Sequence, residues 1–303
     1  MSEYHTPVLL EESVSAMAIR DGGTYVDATF GGGGHSREIL SRMGKNSKLV
    51  VFDRDPDAIA NIPEDKRIFF VNNNFRFIQN HLNYLGISQA NSILADLGVS
   101  SHQFDTEERG FSFRFHSRLD MRMNPLTREG ADGIVAKRSE DELDKIFRLY
   151  GEVDNSRRVA KIICREREIE PIETTTRLNQ ILEPVTPRTG GHKYLAKIYQ
   201  ALRIEVNGEM KSLEGFLSGS LNVLKPGGRL VVITYHSLED RMVKNFLKTG
   251  NVSGKIEKDF YGKQSSPFTV VFRKPMVPAE EEISRNTRAR SAKLRVAEKM
   301  EIN

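Results

Sequence analysis

With 303 residues, 45 Lys and Arg against 41 Asp and Glu, and one cysteine, the chain is long enough for a large α/β domain with an insertion, or for two domains, and its core needs no staple. The lone Cys164 excludes an intramolecular disulfide and, in the helical pattern Val159-Ala160-Lys161-Ile162-Ile163-Cys164, reads as a small core residue. No apolar run approaches the roughly 18 residues that span a bilayer, and the amino end carries Glu3, Glu11 and Glu12 where a secretion signal would be basic and then apolar, so the expectation is a soluble cytoplasmic protein.

In chain order, a strand is expected over Thr24 to Thr29, followed by Gly31-Gly32-Gly33-Gly34 and a helix-compatible segment, Ser36 to Met43. Residues without side-chain bulk let the backbone turn sharply against a ligand, and the helix start beyond them offers unpaired amides. Lys48 to Asp53 reads as a second strand ending in an acid about twenty residues past the glycines, where βαβ nucleotide sites carry the carboxylate that accepts ribose hydroxyls. Two details favour S-adenosylmethionine over a nicotinamide. Asp27 lies inside the first strand, where it can meet an amino group, and Ser36 stands where a pyrophosphate site wants its third glycine.

Further strands are expected at Arg67 to Val71, Ser92 to Asp96 and Arg229 to Tyr235, alternating with helices in the pattern of an α/β, doubly wound, mostly parallel sheet. Between Asp96 and Gly208 more than a hundred residues hold no good strand. Ser139-Glu140-Asp141-Glu142 is a capping box, and Ser156 to Glu168 and Lys193 to Val206 are helical in period. The reading is an inserted helical substrate-recognition domain over 106–207, the cofactor-binding domain comprising 1–105 and 208–303. Lys225-Pro226-Gly227-Gly228 is expected to turn tightly into the fifth strand, and Lys255 to Lys258 with Thr269 to Arg273 to pair antiparallel at the sheet's edge.

Asp96 falls at the carboxyl end of the fourth strand, next to the switch point where open α/β sheets bind ligands; it is a candidate acceptor for the N–H bonds of an exocyclic amine, or a simple turn cap. Arg109 to Arg128 holds five arginines and one acid, interleaved with phenylalanines. Arg109, Phe111, Phe113, Arg114 and Arg122 are candidates for a single-stranded RNA surface, while the aromatics would equally anchor the insertion. His236, with Ser237 and Asp240 opening a helix, is a candidate proton acceptor or a satisfied structural histidine. Residues 283–303 carry six Lys and Arg and two Glu, the whole net charge of +4; Arg285, Arg288, Arg290, Lys293 and Arg295 can neutralise phosphates or form a solvated tail. No Cys/His cluster has metal spacing, so no metal is expected, and the want of a G-x-S-x-G elbow argues against a serine hydrolase.

Taken together, several segments resemble the small-subunit ribosomal RNA cytosine-N4 methyltransferase family, RsmH or MraW. They are His5-Thr6-Pro7-Val8-Leu9-Leu10, Asp27 through Ser36, Asp96-Leu97-Gly98-Val99-Ser100-Ser101-His102-Gln103-Phe104-Asp105, Arg109-Gly110-Phe111-Ser112-Phe113, Leu119-Asp120-Met121-Arg122-Met123, Gln200 through Asn207, Pro226 through Leu230, His236 through Arg241 and Ser291 through Arg295. The likeness spans essentially the whole chain; it departs slightly at Asn124, Tyr199 and Thr287. It implies a class I methyltransferase fold, S-adenosylmethionine as donor, and N4 of a cytidine in the decoding region of small-subunit ribosomal RNA as acceptor; the assembled small subunit is the expected partner, and the sequence leaves naked RNA open as the substrate. By the same resemblance the cofactor residues fall on Gly33, Gly34, His35, Asp53, Phe75, Asp96 and Gln103, beside Asp27 and Gly31 read from the loop itself, with Phe75 as an apolar wall for adenine. Position alone nominates Asp96, His236 and Asp120 for catalysis. A nicotinamide-dependent oxidoreductase on the same layout and a non-catalytic ribosome-assembly factor are the rival readings, and a homodimer stays open.

Overall fold

The structure is a computed structural model describing residues 7–100, 103–104, 106–127, 129–256 and 266–301. Helix α1 (Leu10–Ala16) precedes β1 (Thr24–Asp27), α2 (Gly34–Arg42), β2 (Lys48–Asp53), β3 (Ile68–Asn72), α3 (Ile78–Tyr84) and β4 (Ala90–Asp96). Beyond β4 the chain includes α4 (Ala131–Lys137), α5 (Glu140–Gly151), α6 (Ser156–Arg167), α7 (Thr175–Leu182) and α8 (Gly191–Asn207). The chain then forms α9 (Glu209–Val223), β5 (Leu224–Thr234), α10 (Ser237–Thr249), β6 (Phe268–Val270), α11 (Glu280–Arg285) and β7 (Lys293–Lys299). Two compact units result, one from the residues up to Gly98 and from Met210 onward, the other from Val99–Glu209.

The first unit is built on one sheet in the order β3-β2-β1-β4-β5-β7-β6. β3 through β5 run parallel, and β7 lies antiparallel between β5 and β6. Its strands are apolar on both faces because both are covered. Val26, Val50, Phe52, Ile93 and Val232 join one buried cluster with Phe216 and Phe246, while Tyr25, Leu49, Val51, Leu94 and Val231 join another with Val14 and Ile39. Alternate residues of each strand thus feed opposite layers.

Three sequence expectations are corrected here. The basic segment is no free tail: Lys293–Lys299 alternates, burying Leu294 and Val296, and pairs with β5 in the register Val231↔Val296. The antiparallel partner of Thr269 is accordingly Glu298 of β7, not the segment around Lys255; Lys255 and Ile256 are in no strand, and Lys258 lies outside the described residues. Lys225 to Gly228 do not precede β5 but bulge out within it, since Ala90 pairs with Leu224 and Ser92 with Arg229.

The second unit has a core of its own around Leu143, Phe147, Val159, Leu178 and Leu202, drawn from α5 to α8. Ser139 caps α5 in a complete box with Glu142, and Thr174 caps α7 through Arg177 N–H. At Gly110 the backbone has φ +70°, and a Cβ would meet the Arg118 carbonyl at 2.2 Å, so only glycine admits the close approach. Among the described residues no helix is long and apolar enough to cross a membrane.

Val296→Asp places a carboxylate at a fully buried position between β5 and β6, and the variant should lose more than about 3 kcal/mol and its cooperative melting transition. Exposed Arg290→Ala should melt within about 0.5 kcal/mol of the parent. A Val296→Asp protein melting like wild type would contradict the strand.

Candidate active site

The carboxyl ends of β1, β2 and β4 meet at one edge of the sheet, and each delivers an aspartate. Asp27 closes β1 almost wholly buried, one oxygen accepting Ser36 Oγ–H at 2.6 Å and the other the Thr29 amide at 3.0 Å. Ser36, the residue that a pyrophosphate site would want as glycine, is thereby the clasp holding the start of α2 to β1. Asp53 closes β2: its Oδ2 accepts the Gly31 amide at 2.7 Å and its Oδ1 the Asp55 amide at 2.8 Å. The glycine loop leaves no room for a side chain at two positions. Gly33 caps α2 with φ +75°, where a Cβ would strike the Phe30 ring at 2.9 Å, and a Cβ on Gly34 would come within 2.2 Å of Pro7 Cγ. Asn61 Nδ2 and an Arg37 guanidinium nitrogen donate to the Gly31 and Gly32 carbonyls, so the loop is held from outside as well.

Asp96 closes β4 and is the centre of a small network. Its amide donates to Thr29 Oγ1 at 2.7 Å, its Oδ1 accepts the Tyr235 hydroxyl at 2.7 Å, and its Oδ2 faces His35 Nδ1 at 3.8 Å. His35 Nε2 lies 3.2 Å from the Val8 carbonyl, which explains the value of the Pro7-Val8-Leu9 segment: it packs over the start of α2 and is tied down by Leu9 N–H to Glu282 Oε1 at 2.8 Å. Burial pushes Asp27, Asp53 and Asp96 each up to about 6, against the donors that partly offset it: Ser36 and Thr29 for the first, the Asp55 and Gly31 amides for the second, His35 and Tyr235 for the third. Burial also lowers His35, with Asp96 opposing.

The other nominated residues are distributed as follows. Phe75 stands in a short 3-10 turn after β3, edge-on to Phe216 with ring centroids 5.1 Å apart. His236 is the N-cap of α10, one residue earlier than the box expected at Ser237 and Asp240; its ring faces Glu239, whose other oxygen accepts the Tyr235 amide at 3.0 Å. Asp240 instead receives Arg295 at 2.7 Å and Lys293 at 3.4 Å, which removes much of the charge the sequence assigned to phosphate contact. Arg288 and Arg290 are exposed.

In the second unit, Gln103 exchanges hydrogen bonds with Ser100, while Ser101, His102 and Asp105 of the same motif lie outside the described residues, as does Arg128. Asp120 is bound in bidentate fashion by Arg122, whose guanidinium also donates to the Pro125 and Thr127 carbonyls. Arg109 donates to the Arg122 and Met123 carbonyls, Phe111 is core, and Phe113 packs edge-on against Tyr199. These residues hold the unit together; Arg114 stays exposed. Sequence reasoning missed Tyr235 and Thr29, because a residue's reach toward a neighbouring strand end leaves no trace in spacing.

Acids at three adjacent strand ends around a glycine-rich loop suit a cationic, ribose-bearing ligand, and with a doubly wound sheet whose last-added strand β7 is reversed they define a class I methyltransferase dependent on S-adenosylmethionine. The chain belongs to the MraW methylase family, whose model matches residues 2–300. It is 57% identical over 296 residues to the ribosomal RNA small subunit methyltransferase H of Bacteroides fragilis, covering 98% of this chain and 97% of that protein. To the protein of the same name from Parabacteroides distasonis it is 53% identical over 298 residues, with 98% of each covered. The nicotinamide and non-catalytic readings are not favoured by these relationships.

Carboxylates held near 6 in the folded chain and near 3.9 in the unfolded one bind more protons when folded, so the strain of burying them is full above about pH 6 and is relieved as pH falls toward 4. Relative to Asp96→Asn, the ligand-free wild type should therefore gain thermal stability between pH 7.5 and pH 5. Parallel melting curves of the two proteins over that range would show that Asp96 is not under this strain.

Proposed function

We propose that the protein methylates N4 of a cytidine in the decoding region of small-subunit ribosomal RNA, working in the cytoplasm on the assembled small subunit. The observation that carries this reading is the Asp96 carboxylate, standing at the end of β4 beside the cofactor loop with one oxygen held by Tyr235 and the other facing His35 Nδ1 at 3.8 Å, beyond hydrogen-bonding length. Bound S-adenosylmethionine supplies an electrophilic methyl group on a sulfonium. The donor set fits it: Asp53 keeps lone pairs free for ribose hydroxyls beyond its two amide bonds, and three carboxylates mostly ionised at neutral pH favour a cation. Gly31, Gly33, Gly34 and His35 provide the cradle and Phe75 an apolar wall. Asp27, enclosed by Ser36 and Thr29, acts by fixing the loop and through its charge.

Cytosine N4 is a poor nucleophile because its lone pair is delocalised into the ring. Asp96 would accept one N–H bond, turn the amine toward the donor and then take the proton, a task within reach of a carboxylate near 6 because an alkylated aminopyrimidinium is strongly acidic. Asp120, neutralised by Arg122, and His236, engaged by Glu239, are less suited to that role. Exposed Arg114 of the helical unit and exposed Arg290 of the sheet unit can each reach a phosphate, which supports RNA as the substrate.

Labelled S-adenosylmethionine incubated with small subunits lacking the modification should yield N4-methylated cytidine by nucleoside mass spectrometry, and naked RNA much less. Label appearing on another base or atom would refute the assignment. Asp53→Ala should weaken S-adenosylhomocysteine binding about 10- to 100-fold while RNA binding persists, as expected for hydrogen bonds to a charged group worth about 1.5–3 kcal/mol. Wild-type affinity for S-adenosylmethionine should fall as pH drops below about 6, since protonation removes the charges that hold the cation; pH-independent titrations between 5 and 7.5 would speak against that electrostatic account.

A further inference from the structure

Tyr235 belongs to none of the residues nominated from sequence, yet its position is over-determined. It follows β5, the strand beside β4, so its side chain reaches the neighbouring strand's end. Its amide donates to Glu239 Oε2 at 3.0 Å, and Glu239 is itself buried at the start of α10. Its ring lies against Gly98, whose φ of +114° carries the chain away from β4 and where a Cβ would already touch that ring at 3.3 Å. Its hydroxyl ends 2.7 Å from Asp96 Oδ1. Backbone, ring and hydroxyl are thus each fixed by a different element, and two of the three contacts are to the turn that displays Asp96.

We propose that Tyr235 is a positioning residue for methyl transfer: it occupies Asp96 Oδ1, sets the plane of the carboxylate and leaves Oδ2 as the oxygen that receives the substrate amine. The inference rests on the reading of Asp96 as the amine acceptor. Oδ2 is faced by His35 from α2 at 3.8 Å, beyond hydrogen-bonding length, so among the described residues the side-chain hydrogen bond that fixes the carboxylate plane is Tyr235's. Among the described residues, the charged and titratable groups around Asp96 are His35 from α2, Asp27 from β1, Glu239 from α10 and Tyr235 itself; those around Tyr235 are Asp96, Glu239 and Glu282. Burial, and then the nearby Asp96, raise the Tyr235 phenol well above its ordinary range, so it remains a donor at every pH at which the enzyme would be assayed.

The test compares the wild type, Tyr235→Phe and a protein carrying 3,5-difluorotyrosine at position 235, on small subunits lacking the modification. Tyr235→Phe deletes the donor and should lower kcat about tenfold or more, leave KM for S-adenosylmethionine within about twofold, and move the acid limb of kcat to higher pH because the carboxylate loses a stabilising hydrogen bond. Difluorotyrosine keeps shape and hydroxyl but donates more strongly, so it should move the same limb to lower pH; this variant decides the matter if Tyr235→Phe fails to fold. An acid limb unmoved in both proteins, or a Tyr235→Phe enzyme with unaltered kcat, overturns the proposal, since a purely structural tyrosine would change melting temperature alone. A wild type that transfers no methyl group to cytidine N4 would instead overturn the underlying reading of the site.

Discussion

Parallel strands all end at the same edge of a sheet, and in this protein that edge concentrates three aspartates, Asp27, Asp53 and Asp96, in surroundings dry enough to push each to about 6. Like charges gathered this way oppose folding unless donors and cations answer them. Much of the local design is that answer. The Gly31 and Asp55 amides face Asp53, Ser36 and the Thr29 amide face Asp27, and the Tyr235 hydroxyl faces Asp96. What the protein supplies is neutral hydrogen-bond donors, which orient the carboxylates without cancelling their charge; a cationic ligand is left to complete the electrostatics.

The demand for neutral donors at short range explains the glycines. An amide can point into a carboxylate only if the chain passes close by, as at Gly31 beside Asp53, and at Gly33 and Gly34 the turn that follows leaves no room for a Cβ beside Phe30 and Pro7. The amino-terminal segment therefore belongs to the site architecture although it is remote in sequence. Pro7 lies on Gly34, the Val8 carbonyl meets His35, and Glu282 of α11 anchors Leu9.

Arginines serve the same end in both units. In the helical unit Arg109 and Arg122 are spent on carbonyls and on Asp120, and in the sheet unit Arg295 is spent on Asp240, so basic residues that look like a phosphate surface in one dimension serve mainly as internal ties. Guanidinium groups suit this work because a planar fork can satisfy several acceptors at once in segments that lack regular secondary structure. Exposed arginines such as Arg114 and Arg290 keep their charge for the solvent side.

Periodicity and punctuation alone determined a great deal. The parallel strands at Lys48–Asp53 and its neighbours, the capping box at Ser139, the long helices between Asp96 and β5, and the acid that ends each of the second and fourth strands all follow from local pattern, because a strand's burial and a helix's cap are properties of adjacent residues; Asp27, which the pattern places inside a strand running to Thr29, in fact ends β1. Tertiary structure decided what distance along the chain conceals. Lys293–Lys299 could be recognised as a strand only beside β5, since its charged residues are received there by groups distant in sequence: Lys293 and Arg295 by Asp240, Glu298 by Arg229, and Lys299 by the Leu221 and Leu224 carbonyls. The pairing of Tyr235 with Asp96, 139 positions away, arises only where β4 and β5 lie side by side, and hydrogen bonds between strand ends depend on register in space, which no spacing in the sequence encodes.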